Sequence, residues 1–103
     1  MYNTGNGNAM FGRNHIARKN RGFFAGTGHD SSNARTEAAS AVGEYSYIDS
    51  NTMFAVGNGT SATNRSNAFE VTADGGCILR DSSGGRWKIT VNTSGTLTTT
   101  KVT

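Results

Sequence analysis

The chain has 103 residues, room for one domain or a short run of repeats. Gly, Thr, Asn and Ser supply 49 of them, Leu, Ile, Val and Phe together only 16, and the formal net charge is +3. So few large apolar side chains cannot offset the entropy of ordering the backbone, roughly 1–2 kcal/mol per residue, in a free-standing core, while the low net charge removes half of the usual signature of disorder. The composition therefore points to a core shared between copies of the chain. A single cysteine, Cys77, excludes an intrachain disulfide and a Cys-rich zinc site, and its apolar setting beside Ile78 reads as a buried thiol. No apolar run approaches the roughly 18 residues of a membrane span, so none is expected, and the Gly/Asn-rich start, Met1 to Asn8, lacks the apolar stretch of a signal peptide.

From the N-terminus, four short segments align on a glycine: Ala9-Met10-Phe11-Gly12, Phe23-Phe24-Ala25-Gly26, Ser40-Ala41-Val42-Gly43 and Phe54-Ala55-Val56-Gly57. The glycines are 14, 17 and 14 residues apart, which places a three-residue insertion within Thr27 to Ala39. Each segment reads as a short strand closed by a glycine corner, with Gly12, Gly26, Gly43 and Gly57 supplying the left-handed backbone that a corner needs. A polar stretch and a second weak apolar position follow (Ile16, Ala34, Ile48, Ala62), as expected of a chain that returns one layer along a stack. Small residues at Ala25, Ala41, Ala55 and Ala62 imply a narrow interior. Thr36 to Val42 is the only stretch rich in helix formers, and it is too short for a helix to stand alone. The frame steps once more to Val71, where no glycine stands and the repeat ends.

This pattern resembles the head repeats of trimeric autotransporter adhesins, which also occur in bacteriophage tail fibres. The resemblance rests on the step Ser40-Ala41-Val42-Gly43, on the return Gly59-Thr60-Ser61-Ala62, and on Asn58 to Val71, which is similar to the last coil of such proteins. It covers roughly Asn8 to Val71. It implies a left-handed parallel β-roll, a solenoid of about 14-residue coils, packed as a homotrimer around a common axis. The first two coils depart from the family pattern by carrying Phe11, Arg18, Lys19, Arg21 and Phe23 where small residues are usual.

After Val71 the character changes, dividing the chain into residues 1–71 (roll) and residues 72–103 (C-terminal module). Cys77-Ile78-Leu79-Arg80 reads as a strand, Asp81 to Gly85 as a hairpin loop, and Trp87-Lys88-Ile89-Thr90-Val91 as a half-buried strand of period two. The loop Asn92 to Gly95 leads into the threonine-rich Thr96 to Val102. These make a short antiparallel β-meander whose face of Trp87, Ile89 and Val91 needs a cover, either the end of the roll or sister chains, and so forms the core of a cap. Arg80 to Val102 resembles the closing sequence of many phage tail-fibre and baseplate-associated proteins, and implies the virion as the setting, with the bacterial cell surface as the alternative.

No catalytic constellation is present. His15 and His29 lie 14 apart and read as solvated loop residues; Asp30 and Ser31 beside His29 cannot converge as a triad from adjacent turn positions. The acidic residues are scattered, and the Gly-x-Gly pieces lack the strand-turn-helix context of phosphate loops. An enzyme, a cofactor and a metal are therefore not expected. Residues 1–35 hold five basic residues (Arg13, Arg18, Lys19, Arg21, Arg35) against Asp30 alone. That cluster reads first as a solvated face and second as a contact for anionic polymer; nucleic acid is not expected as a partner. Candidate contacts for a host cell-surface glycan are Arg13, Arg18, Lys19 and Arg21 together with Tyr45 and Tyr47, whose rings could stack on sugars. The function classes that remain are an adhesive fibre segment and a purely structural trimerisation cap or spacer.

Overall fold

A strand of four or five residues that ends in a left-handed corner cannot bury its own faces, so it must stack on another of the same length. In the computed structural model, which describes residues 1–102, this is what the chain does. Ten strands form and no helix is present among the described residues: β1 (Tyr2–Asn3), β2 (Ala9–Arg13), β3 (Ile16–Ala17), β4 (Phe23–Thr27), β5 (Ser40–Glu44), β6 (Thr52–Asn58), β7 (Asn67–Thr72), β8 (Cys77–Arg80), β9 (Arg86–Val91) and β10 (Leu97–Val102). Thr103, the last residue of the expected second module, lies outside the described residues.

Strands β2, β4, β5 and β6 pair in parallel, each with the next, in a solenoid-like stack of about four turns. A second, thinner face consists of β1 parallel to β3, continued by a bridge from Ile16 to Asp30. The register sets like beside like: Met10 by Phe24, Phe24 by Ala41, Ala41 by Ala55, with Gly12 by Gly26 and Gly43 by Gly57. Between the two faces lies a core of Ala17, Phe24, Ala34, Ala39, Ala41, Ile48 and Ala55, with Met10 packed against it. Alanine dominates because the faces are too close for longer side chains. The insertion falls in residues 31–36, since Ile16 bridges Asp30 whereas Asn20 bridges Glu37. It folds as a small turn that Asp30 and Ser31 hold with side-chain hydrogen bonds.

Two ladders of left-handed residues turn the corners. One runs through Gly12, Gly26 and Gly43 (φ 111°, 111° and 88°), each followed two residues later by another positive φ at Asn14, Gly28 and Tyr45. The other joins Gly7, Arg21 and Ala38 (φ 69°, 54° and 62°) at the opposite corner. Gly57 differs from the other corner glycines because its φ is not in the left-handed region. It needs glycine for a different reason: a Cβ there would lie 2.7 Å from the Ser46 nitrogen and 2.5 Å from the Glu44 carbonyl.

At β7 the chain reverses. β6 to β10 pair antiparallel in sequence order, so the parallel stack and the C-terminal strands form one eight-stranded sheet. The change of pairing comes one strand before residue 72. The two hairpin loops share one device: Asp81 and Asn92 each accept, through the side-chain Oδ1, from the backbone N–H two and four residues on, and Gly84 and Gly95 take the left-handed position. Among the described residues no helix is long and apolar enough to cross a membrane.

Candidate functional site

The sheet has an inward and an outward side, and the outward side is where surface chemistry concentrates. Cross-strand partners share a side, so the register alone traces two rows along it. One row runs Phe54, Val71, Cys77 and Ile89; the other runs Val56, Phe69, Leu79 and Trp87. On the parallel strands they continue through Phe23 and Ala9, and through Ala25 and Phe11. On β5 the first row passes through Ser40 and the second through Val42, and at every other strand from β2 to β9 both rows are apolar apart from the Cys77 thiol. Phe11 is 60% exposed, and its ring meets that of Phe23 at 5.8 Å between centroids. At the far end the pair Val91 and Leu97 is more exposed still, at 62% and 67%.

Trp87, Ile89 and Val91 therefore stand on the same outward side as the roll's own apolar row. The meander extends the sheet edgewise from β6 and does not fold back over the end of the roll, so within one chain their side of the sheet stays uncovered. Trp87 is half-buried, donates from Nε1 to Asp81 at 2.8 Å and carries Lys101 over its ring at 5.0 Å. The contact with Trp87 and the loop N–H groups of Gly85 and Ser83 hold the Asp81 carboxyl below the usual carboxylate range. The thiol of Cys77 is half-buried on this side.

The inward side joins roll to meander through charge. Glu70, 2% exposed, accepts from Nε and Nη2 of Arg86 at 2.9–3.2 Å, and the same guanidinium lies over the Tyr47 ring at 5.4 Å. Asn67 grips the backbone of Tyr47 from both ends of its amide, and Arg80 donates to the Asn67 carbonyl at 2.9 Å. Arg65 donates to the carbonyls of Gly28 and Ser46 and covers Tyr45. Tyr45 fills the space left by the missing side chain of Gly28. None of Arg65, Asn67, Glu70 or Arg86 stands out in the sequence, because a lone charge among polar residues carries no periodic signal.

The histidines correct the expectation of solvated loops. His15 and His29 are buried (1% and 0% exposed) inside the stack, their rings parallel within 4° and 5.1 Å apart. Every ring nitrogen is occupied. His15 Nδ1 accepts from the His29 backbone N–H, so its Nε2 donates to the Phe11 carbonyl. His29 Nε2 donates to the Ala25 carbonyl, so its Nδ1 accepts from the Ser46 hydroxyl. Burial lowers the pKa of His29 below its ordinary value, and the charge of Arg65 acts in the same direction. The 14-residue spacing was the available signal; burial was not legible from it.

The basic residues do not form one site. Arg13 ends β2 and is exposed; Arg18 lies over the Tyr2 ring at 4.8 Å; Arg21 is ion-paired with Glu37; Lys19 is half-buried. Tyr47 is exposed at its edge, and Tyr45 is largely engaged within the chain. Comparison with protein-family models, with curated proteins and with solved structures finds no match to this chain.

Proposed function

We propose that the chain is a non-enzymatic structural and adhesive segment of a trimeric fibre, of the bacteriophage tail-fibre or receptor-binding kind, that helps to engage a bacterial host surface. The observation that carries this reading is the outward side of the sheet: two rows of mostly apolar side chains from β2 to β9, one of them interrupted by Ser40, on a chain whose own core is mostly alanine. A surface of that length is unusual on a free-standing protein and usual where chains meet. Three copies would turn these rows inward and supply the core that one copy lacks. On this reading the stack is a left-handed roll with coils of about 14 residues. Trp87, Ile89 and Val91 extend the seam to its end, and the corners and hairpin loops remain outside.

Repetition of those loops around three chains gives many weak contacts, which effective concentration multiplies. Tyr47 and Arg13, both exposed, are the contacts offered to a host glycan. A second reading, a trimerisation cap or spacer with no ligand, is favoured by one observation: Arg18, Arg21 and Tyr45 are already committed within the chain. A head fragment of a bacterial surface adhesin is the alternative setting. Whole-cell and glycan binding by the intact protein separates these readings. Binding that falls when Tyr47 and Arg13 are both replaced by alanine supports the adhesive reading; an assembled protein that binds no host cell or glycan leaves the spacer.

A further inference from the structure

His29 stands at the corner where the stack is least regular. The ladder from β4 to β5 pairs Phe23, Phe24 and Thr27 but skips Ala25 and Gly26, whereas β2–β4 and β5–β6 pair without a gap. The three-residue insertion lies between the same two strands. Beyond the gap, side chains hold the corner. Tyr45 keeps a left-handed backbone (φ 41°) that an aromatic residue disfavours, and its ring sits over Gly28. Arg65 donates to the carbonyls of Gly28 at 2.6 Å and Ser46 at 3.3 Å, and lies over the Tyr45 ring at 5.8 Å.

What faces His29 suits a neutral ring and not a cation. The His15 ring stacks on it, the Phe24 ring lies at 6.3 Å, Nε2 meets the Ala25 carbonyl at 2.9 Å and Nδ1 the Ser46 hydroxyl at 2.7 Å. The charge near enough to act on it is Arg65, of the same sign as an imidazolium. Asp30, next in the chain, turns its carboxylate to Ser32, while Glu44 at the end of β5 and Arg13 at the end of β2 are exposed. A proton on Nδ1 would force the Ser46 hydroxyl to turn from donor to acceptor and would leave a cation in the interior beside a guanidinium. Letting water into the corner is less unfavourable than burying that charge without a partner.

We infer that this corner is an acid-released latch: proton uptake by His29 opens it locally, freeing Tyr45 and Arg65 from Gly28 and Ser46, while the meander keeps its pairing. The strained backbone at Tyr45 relaxes on opening. Asn67, which holds Tyr47 through both ends of its amide, bounds the opening on one side, and the tie of Glu70 to Arg86 takes no part in it. Burial keeps the closed His29 below its ordinary 6.5, and an opened corner restores that value. The latch therefore holds fully above about pH 6.5 and loosens as the pH falls toward the folded value, the open population rising by at most about tenfold per pH unit between the two. The inference depends on neither the trimer nor the adhesive reading.

The test is amide hydrogen exchange of the intact protein, read residue by residue by NMR between about pH 7.5 and 5 and corrected for the chemical exchange rate. The reporters are the N–H groups of Gly28, His29 and Tyr45, which donate to the Arg13 carbonyl, to His15 Nδ1 and to the Thr27 carbonyl. Their protection is expected to fall by up to about tenfold per pH unit below 6.5, while the amides of β8 and β9 hold theirs. His29→Gln cannot take up the proton and keeps a donor and an acceptor on its side-chain amide, so its corner should stay protected at every pH. Should that variant unfold, the unaltered protein decides the matter by itself. Corner protection that does not change with pH, corner and meander amides that lose protection by the same factor, or a folded His29→Gln variant that keeps the response overturns the inference.

Discussion

Ala38 and Arg21 hold a left-handed backbone that ordinary side chains disfavour, at a corner where Gly7 does so freely. Ala38→Gly relieves that strain against the added entropy of glycine, and a gain of up to about 1 kcal/mol is expected in thermal or urea unfolding. Gly43→Val is the opposite case. It combines a β-branched side chain, a positive φ and a collision with the Gly57 carbonyl, so a loss of several kcal/mol is expected, on the order of 3 or more. Gly84→Ala, in an open hairpin loop, should lose only about 1 kcal/mol. The glycine corners were legible because glycine is a strong local marker. Asn14, Arg21, Ala38 and Tyr45 share the same backbone and were not, because side chains that tolerate strain carry no such mark. His29 adds a pH dependence. Its folded pKa lies below the 6.5 of the unfolded group, so the unfolded state takes up the proton first. Stability is therefore complete above about pH 6.5 and falls as the pH drops from there through the folded value. The melting temperature should decline on acidification well above the range in which Asp74, lowered to about 2 by its contacts with Lys88 and Thr72, gives up its charge. His29→Gln should flatten that decline; an unchanged slope would mean that the stacked rings do not carry it.

At the scale of elements, the junction between the roll and the meander holds a buried carboxylate. Glu70, on β7, is buried and Arg86 neutralises it from β9, across the intervening β8. Arg86→Ala leaves that carboxylate uncompensated, and a loss of about 3–5 kcal/mol is expected in urea unfolding, with Arg80→Ala milder because its partner is a carbonyl. Equal effects from the two would show that the Glu70 pair has no special weight. The hairpins were legible here: alternation marked β9, threonine content marked β10, and the Asp81 and Asn92 loops announced their turns. The reversal at β7 was not. Phe69-Glu70-Val71 keeps the apolar spacing of the earlier strands, and spacing carries no information about direction. The place of the meander was equally hidden, since a two-residue period shows that a face is apolar without showing what it faces.

For the whole molecule, the outward rows decide between a monomer and an assembly. Removing residues 73–103 would strip Glu70 of Arg86 and open β7 as a new edge, so the shortened chain should aggregate or remain monomeric. In an assembled protein Trp87 should be shielded, with blue-shifted emission resistant to quenching; emission at the wavelength of free indole would mean its side of the sheet meets water. The expectation of a shared core comes from composition alone, because 16 large aliphatic and Phe residues are few both to fill an interior and to cover a face. The most direct test is the mass of the intact protein by light scattering coupled to gel filtration, across a dilution series. A particle about three times the 10.8 kDa of one chain is expected throughout; a folded, cooperatively melting monomer at micromolar concentration would contradict the account.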